Sequence, residues 1–198
     1  MQKNSRTNHL FVVITLIIAA VVMRLMPHLP NFAPLAASAL FAAAYLPKKY
    51  ALIIPLLSVM ISDYLLLYIS PFSNPIFDFS TIYPLTSAIH GTTFFVWGSF
   101  MLSGLLGLGL RNKKGMVRLT GFSLLASTQF FLITNFAVWT GGMYARDISG
   151  LFASYIAGLP FFSYTIGGDL FYTVSFFGLY ALASKPSKQE TKAKLVVS

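Results

Sequence analysis

Six long apolar runs, at residues 10–25, 33–46, 51–69, 87–110, 119–139 and 160–183, constrain this chain more than any other feature. None alternates polar with apolar residues. Lipid offers no hydrogen-bond partner to a backbone amide, so a spanning chain must be helical or a closed barrel, and unbroken runs select helices. With 56% hydrophobic and 10% charged residues, too little polar surface remains to cover a water-soluble globule. The expectation is an all-α membrane protein with six transmembrane helices in one domain, residues 10–183. A segment at 1–9 precedes it and a basic, disordered tail at 184–198 follows. No cysteine occurs, which excludes disulfides, thiolate nucleophiles and zinc–thiolate sites.

The breaks between runs are as informative as the runs. Pro27, Pro30 and Pro34 each lack an amide proton and fix φ, so residues 26–34 turn rather than continue a helix. The second run is short for a hydrocarbon core of about 30 Å and should start inside a partly buried mouth. Its Ala33, Ala36, Ala37, Ala39 and Ala43 form a thin face for close helix approach, as do Ser99, Ser103 and Gly107. Both faces read as packing within the chain, with docking to a partner as the competing reading. The basic start and short first run resemble a signal peptide, but Val21 to Met23 prolong the run, so retention is expected. Residues 140–159 read as a connection with a short interfacial helix at 148–157, before a sixth span starting at Pro160.

Charge sets the orientation. Six spans put both termini on one side together with Lys3, Arg6, Lys48, Lys49, Arg111, Lys113, Lys114, Arg118, Lys185, Lys188, Lys192 and Lys194, leaving Arg24 and Arg146 opposite. Cations flanking spans this unequally place both termini in the cytoplasm, and explain the net charge of +9 without nucleic acid.

The opposite side collects the polar residues that could carry chemistry. Arg24, His28, Asn31, Asp78, Tyr83, His90, Asn135, Trp139, Tyr144, Arg146 and Asp147 all fall there. Asp63 and Asp169 lie inside spans, about 9 Å and 14 Å deep if the spans end at Ile69 and begin at Pro160. A charge at that depth costs about 2.5–3.5 kcal/mol and needs a partner. Arg24 is the basic residue nearest that level, and its pair with Asp63 or Asp169 either ties helices together or meets a ligand, with a proton relay as the third reading. His28 reads as a ligand contact or a turn residue, His90 as a helix-start residue, Arg146-Asp147 as an anion contact or helix cap, and Trp139 as an interfacial ring or a partner of Asn135. Gly167-Gly168 beside Asp169 leaves room for a backbone or a ligand. No G-x-S-x-G, H-E-x-x-H or glycine-rich phosphate loop is present, so no enzyme is indicated.

The segments RLMPHLPNFAPLAASALF, Ser62-Asp63, TNFAVW and LPFFSYTIGGDLFY resemble a bacterial six-helix membrane family similar to the S-components, the substrate-capturing subunits of energy-coupling-factor vitamin transporters. Within that group the chain looks closest to the BtuM-type cobalamin proteins. The resemblance implies an S-component-like bundle in the bacterial inner membrane, uptake of a vitamin-sized molecule such as cobalamin or a related corrinoid, and a shared energising module as partner. It puts His28, Asp63, Tyr83 and Arg146 at polar family positions; with Arg24, Asn31, Asn135, Trp139 and Asp169, singled out above by position and chemistry, they make up the expected ligand contacts. The BtuM-type cysteine that faces cobalt is missing, with Phe77 and Asp78 in its neighbourhood, so His28 would be the imidazole offered to a corrinoid. Substrate capture for transport is the leading reading. A structural or assembly subunit is the alternative, and a membrane enzyme using Asp63, His28 and Asp169 the third.

Overall fold

The structure, a computed structural model, describes residues 2–184, with side chains from Leu10 onward. The tail expected to be disordered lies outside the described residues. Six α-helices follow one another: α1 (Gln2–Leu25), α2 (Leu35–Tyr45), α3 (Tyr50–Leu65), α4 (Thr93–Gly107), α5 (Met116–Thr140) and α6 (Ile148–Ala183). Single 3₁₀ turns at Leu85–Ala88 and Leu108–Leu110 flank α4. The stretches Thr93–Leu110, Met116–Thr140 and Ile148–Ala183 are long and apolar enough to cross a membrane; Leu10–Leu25, Leu35–Tyr45 and Tyr50–Leu65 are apolar but shorter.

Three boundaries differ from those expected. The fourth apolar run becomes helical at Thr93 instead of Ser87, because Pro84 opens a 3₁₀ turn and His90 begins a second turn that closes on Thr93. Helix α3 ends at Leu65, which puts Asp63 in its last turn and not six residues below its end. The largest difference is at Pro160: the helix expected at 148–157 and the sixth span form one helix of 36 residues with Pro160 inside. Proline removes one amide donor. The neighbouring turns are held by α5, since Ser154 Oγ donates to Asn135 O at 2.8 Å and Tyr155 Oη to Leu132 O at 2.9 Å. The depth of Asp169 counted from Pro160 therefore falls away. Asp147 caps this long helix, its carboxylate accepting from Gly150 N and Ser149 Oγ, both at 2.7 Å. These contacts, the Gly150 amide foremost, lower its pKa.

Helix α2 is the centre of the bundle. Leu35 to Ala44 are all buried, and α1, α3, α4, α5 and α6 all pack against it. Its alanines make this possible, because backbones approach closely where side chains are small. The same logic governs the facing helix. A Cβ added at Gly107 would lie 2.8 Å from both Leu40 Cα and Ala43 Cβ, and one at Gly104 would collide with the carbonyl of Ala51. The small-residue faces read from the sequence are thus used within the chain. At the C-terminal end of α2, Arg111 Nη1 donates to the carbonyls of Ala43 (2.7 Å) and Leu46 (2.8 Å), satisfying acceptors that a helix end leaves open.

Gly104→Val should destabilise the bundle by about 1–3 kcal/mol, the usual cost of overpacking. Gly98→Ala, where an added Cβ meets nothing within 4 Å, should leave the thermal unfolding midpoint in detergent unchanged. Equal midpoints for the two variants would refute the close α3–α4 approach.

Candidate functional site

Above the N-terminal end of α2 the helices part around a cavity of about 380 Å³. Its base is the first turn of α2, Leu35 and Ala36; its walls bring in Arg24 from α1, Asp63 from α3, Phe100 from α4, Phe130 from α5, and Thr165 and Asp169 from α6. Exposed Pro30, Asn31, Phe72 and His90 border it. The proline-rich turn that follows α1 therefore forms part of the mouth, as its composition suggested. Asn31 holds this turn with φ +62°, a left-handed conformation that asparagine adopts more readily than most residues. On the far side, Phe32 packs against Phe171 and Tyr172 at centroid distances of 5.8 and 5.6 Å. Gly168 permits this approach, since a Cβ there would lie 3.0 Å from Phe32 Cα. Of the glycine pair, it is Gly168 that admits the loop backbone.

Two carboxylates line the cavity, and their surroundings differ. Asp63 is saturated. Arg24 Nη1 lies 2.5 Å from its Oδ1, and Trp97 Nε1 donates to Oδ2 at 2.7 Å. The same Arg24 nitrogen donates to Ser62 Oγ at 2.6 Å, tying α1 to α3. The ion pair is partly buried, with side-chain exposures of 21% for Arg24 and 8% for Asp63. Asp169, 3% exposed, has no cation beside it. Its one hydrogen-bond partner among the described residues is Ser127 Oγ, 2.7 Å from Oδ2. Of the two pairings open to Arg24, the structure makes the one with Asp63.

The remaining candidates divide by position. His28 lines the cavity, but Nδ1 lies 2.6 Å from Leu29 O and Nε2 3.2 Å from Arg24 O. Both partners are acceptors, so a neutral ring can donate to only one of them. His90 also borders the cavity, with Nδ1 3.1 Å from Thr92 Oγ1. Asn135 belongs to a second, smaller pocket of about 170 Å³ that shares Asn31, Phe130 and Thr165 with the first. Its Nδ2 donates to Phe131 O at 2.8 Å. Tyr83, Trp139 and Arg146 line neither pocket. The Tyr83 backbone is bound by the Tyr64 and Tyr68 hydroxyls, Trp139 Nε1 donates to Ala145 O at 2.9 Å, and Arg146 is exposed. Phe77 and Asp78 stand away from the cavity as well; Asp78 turns back to Ser80, whose side chain and amide lower its pKa. The described residues hold no group of three or more His, Cys, Asp or Glu suited to a metal ion.

Sequence reading missed Trp97, Ser127, Phe72, Phe100 and Phe130. Trp97 carried a usable signal, because an indole N–H inside an apolar run must find an acceptor. The phenylalanines carried none, being a few among 19.

A family model described as a family of unknown function, DUF6580, matches residues 4–192. The chain belongs to this family. No curated protein and no solved structure gives a significant match. The DUF6580 match extends over all six helices, and so over every residue of the cavity.

Removing one partner of a partly buried pair leaves the other charge unmet. Arg24→Ala and Asp63→Ala should therefore each lower stability, by about 3 kcal/mol or less given the exposure of Arg24. The double variant should lose less than the sum of the two, as read by denaturation in detergent. Strict additivity would show that the pair does not couple α1 to α3.

Proposed function

We propose that this DUF6580 chain is a multi-pass bacterial inner-membrane protein of six spans, both termini cytoplasmic, that captures a small ring-containing molecule in the cavity for uptake in the manner of an S-component. One observation carries the reading: a cavity lined by Phe72, Phe100 and Phe130 with a few convergent polar groups, at the end of the bundle formed by the longer loops. Ring-lined concavities with sparse polar contacts are the usual form of small-molecule sites. The cations support the orientation. Lys48, Lys49 and the turn from Arg111 to Arg118 gather at the end opposite the cavity, where Arg111 bridges to α2, so the cavity faces outward under the positive-inside rule.

The site's dimensions narrow the substrate. At about 380 Å³ the cavity is near the lower end of the 300–1,000 Å³ typical of sites for drug-sized ligands. A single vitamin-sized heterocycle suits it as it stands. An intact cobalamin would need the 26–34 and 66–92 loops to part and His28 to give up its backbone contacts. Movement of the ligand inward requires the mouth to close and the bundle to open or tilt, driven by a shared energising module or by trapping inside the cell. The assembly-subunit alternative draws no support from the small-residue faces, which are occupied by α2, α3 and α4 themselves.

Two experiments test the proposal. The natural absence of cysteine permits single-cysteine topology mapping. Cysteines at Ser73 and Gly142 should react with a membrane-impermeant maleimide on intact cells, and cysteines at Lys49 and Lys113 only after permeabilisation; the reverse pattern, or mixed labelling at one end, would remove the six-span arrangement. Purified protein titrated with a vitamin panel should show saturable thermal stabilisation, about 2.7 kcal/mol at a hundredfold excess over Kd, reduced by Phe130→Ala. No response to any compound, with a stoichiometric protein partner in native mass spectra, would favour the assembly subunit.

A further inference from the structure

Taking the cavity as a capture site, we infer that its ligand is a small planar heterocycle presenting a ring N–H to Asp169 and a carbonyl-type acceptor to the first turn of α2. The inference rests on that reading and supplies its substrate class.

The acceptor side of the cavity is Asp169. The residue is 3% exposed, lines the cavity, and has Ser127 on Oδ2 alone. Oδ1 has no hydrogen-bond partner among the described residues. The other charged groups of the lining, Arg24 and Asp63, are bound to each other, so no cation remains to answer Asp169. Oδ1 is not among the fully buried atoms left without a partner, so it opens on the cavity, where water or a ligand's donor must meet it. Asp63, doubly bound by Arg24 and Trp97, shows what a completed carboxylate looks like in the same cavity.

The donor side is the start of α2. Pro34 precedes it without a side-chain cap, and Ser38 N is the first amide to find an acceptor, Pro34 O at 2.8 Å. The amides of Leu35, Ala36 and Ala37 have none among the described residues, although all three residues are buried. Leu35 and Ala36 line the cavity with Asp169. A helix beginning this way leaves donors that water or a ligand must satisfy. Phe100 and Phe130, 4.9 Å apart centroid to centroid, line the same cavity and offer apolar ring surface to a flat ligand. A cyclic amide or urea edge supplies an N–H and a carbonyl together. A purely anionic ring would meet Asp169 without a donor, and a purely apolar one would leave both poles unmet.

The test uses the full chain in detergent and four probes of similar size: 2-benzimidazolone, which has two ring N–H groups and a carbonyl; 1,3-dimethyl-2-benzimidazolone, which keeps only the carbonyl; 1-naphthoate; and naphthalene. Benzimidazolone should bind, measured by calorimetry and thermal shift, and loss of its N–H groups should weaken binding by about tenfold or more. Asp169→Leu should cause a similar loss while leaving the unliganded midpoint unchanged or raised, since an apolar residue of like volume replaces a half-satisfied carboxyl. Equal binding of the two benzimidazolones, stronger binding of naphthoate, or full affinity in Asp169→Leu would each overturn the inference. So would a lowered midpoint in Asp169→Leu with affinity retained, which would make Asp169 a tie between α5 and α6. If that variant does not fold, an infrared difference spectrum of the wild type decides: binding should shift a carboxyl band, and an unchanged band overturns the assignment. Binding of some vitamin but of no benzimidazolone would refute this ligand class and leave the capture reading standing. Silence to vitamins and probes alike would remove both.

Discussion

A helix of 11 residues buried on every side is the constraint on which the bundle depends. Helix α2 is about 16 Å long, far less than its neighbours α5 and α6, so it fills only part of the bundle's height. Its alanines, Gly107 facing it and Gly104 facing α3 let the other five helices close around it. Ala44 and Leu46 near one end and Pro34 and Leu35 at the other are buried, so the backbone groups there need partners from the protein. At one end Arg111 meets two carbonyls. At the other there is no equivalent side chain, and the cavity lies there.

The site follows from that shortness. Where α2 stops, space opens between α1, α3, α4, α5 and α6, and the 26–34 turn covers only part of it. Polar groups reach this space from α1, α3 and α6, and the chain treats them differently. Arg24, Ser62, Asp63 and Trp97 close on one another and fasten α1, α3 and α4 together. Asp169 is anchored through Ser127 on α5 and otherwise left facing the cavity. One carboxylate thus ties helices together and the other is left open to the cavity, a division made by neighbours and not by depth.

Much of this arrangement was legible in the residues. Unbroken apolar runs gave the helices, prolines 27, 30 and 34 gave the turn, and the rarity of buried charge singled out Arg24, Asp63 and Asp169. Pairing was not legible, because tertiary packing decides which helix comes beside Arg24, and α1 packs against α3. Tyr83, Trp139 and Arg146 were drawn in because they share the loop end of the chain, yet sharing an end does not bring side chains into one cavity. Pro160 misled most, since a proline ends a helix in isolation, whereas here α5 holds the turns on either side.

That uninterrupted α6 bears on how the protein would sit in lipid. Thirty-six residues make a rod of about 54 Å, against a hydrocarbon thickness of about 30 Å. Its first turns also present Ile148, Phe152, Ile156 and Leu159 outward, too apolar to stand in open water without cost. Such a rod must lean, or draw the surface of the bilayer up around it, and either response makes local membrane thickness a mechanical variable of the bundle. The α5–α6 pair would then act as a mast whose tilt is set by the lipid, with the cavity at its side.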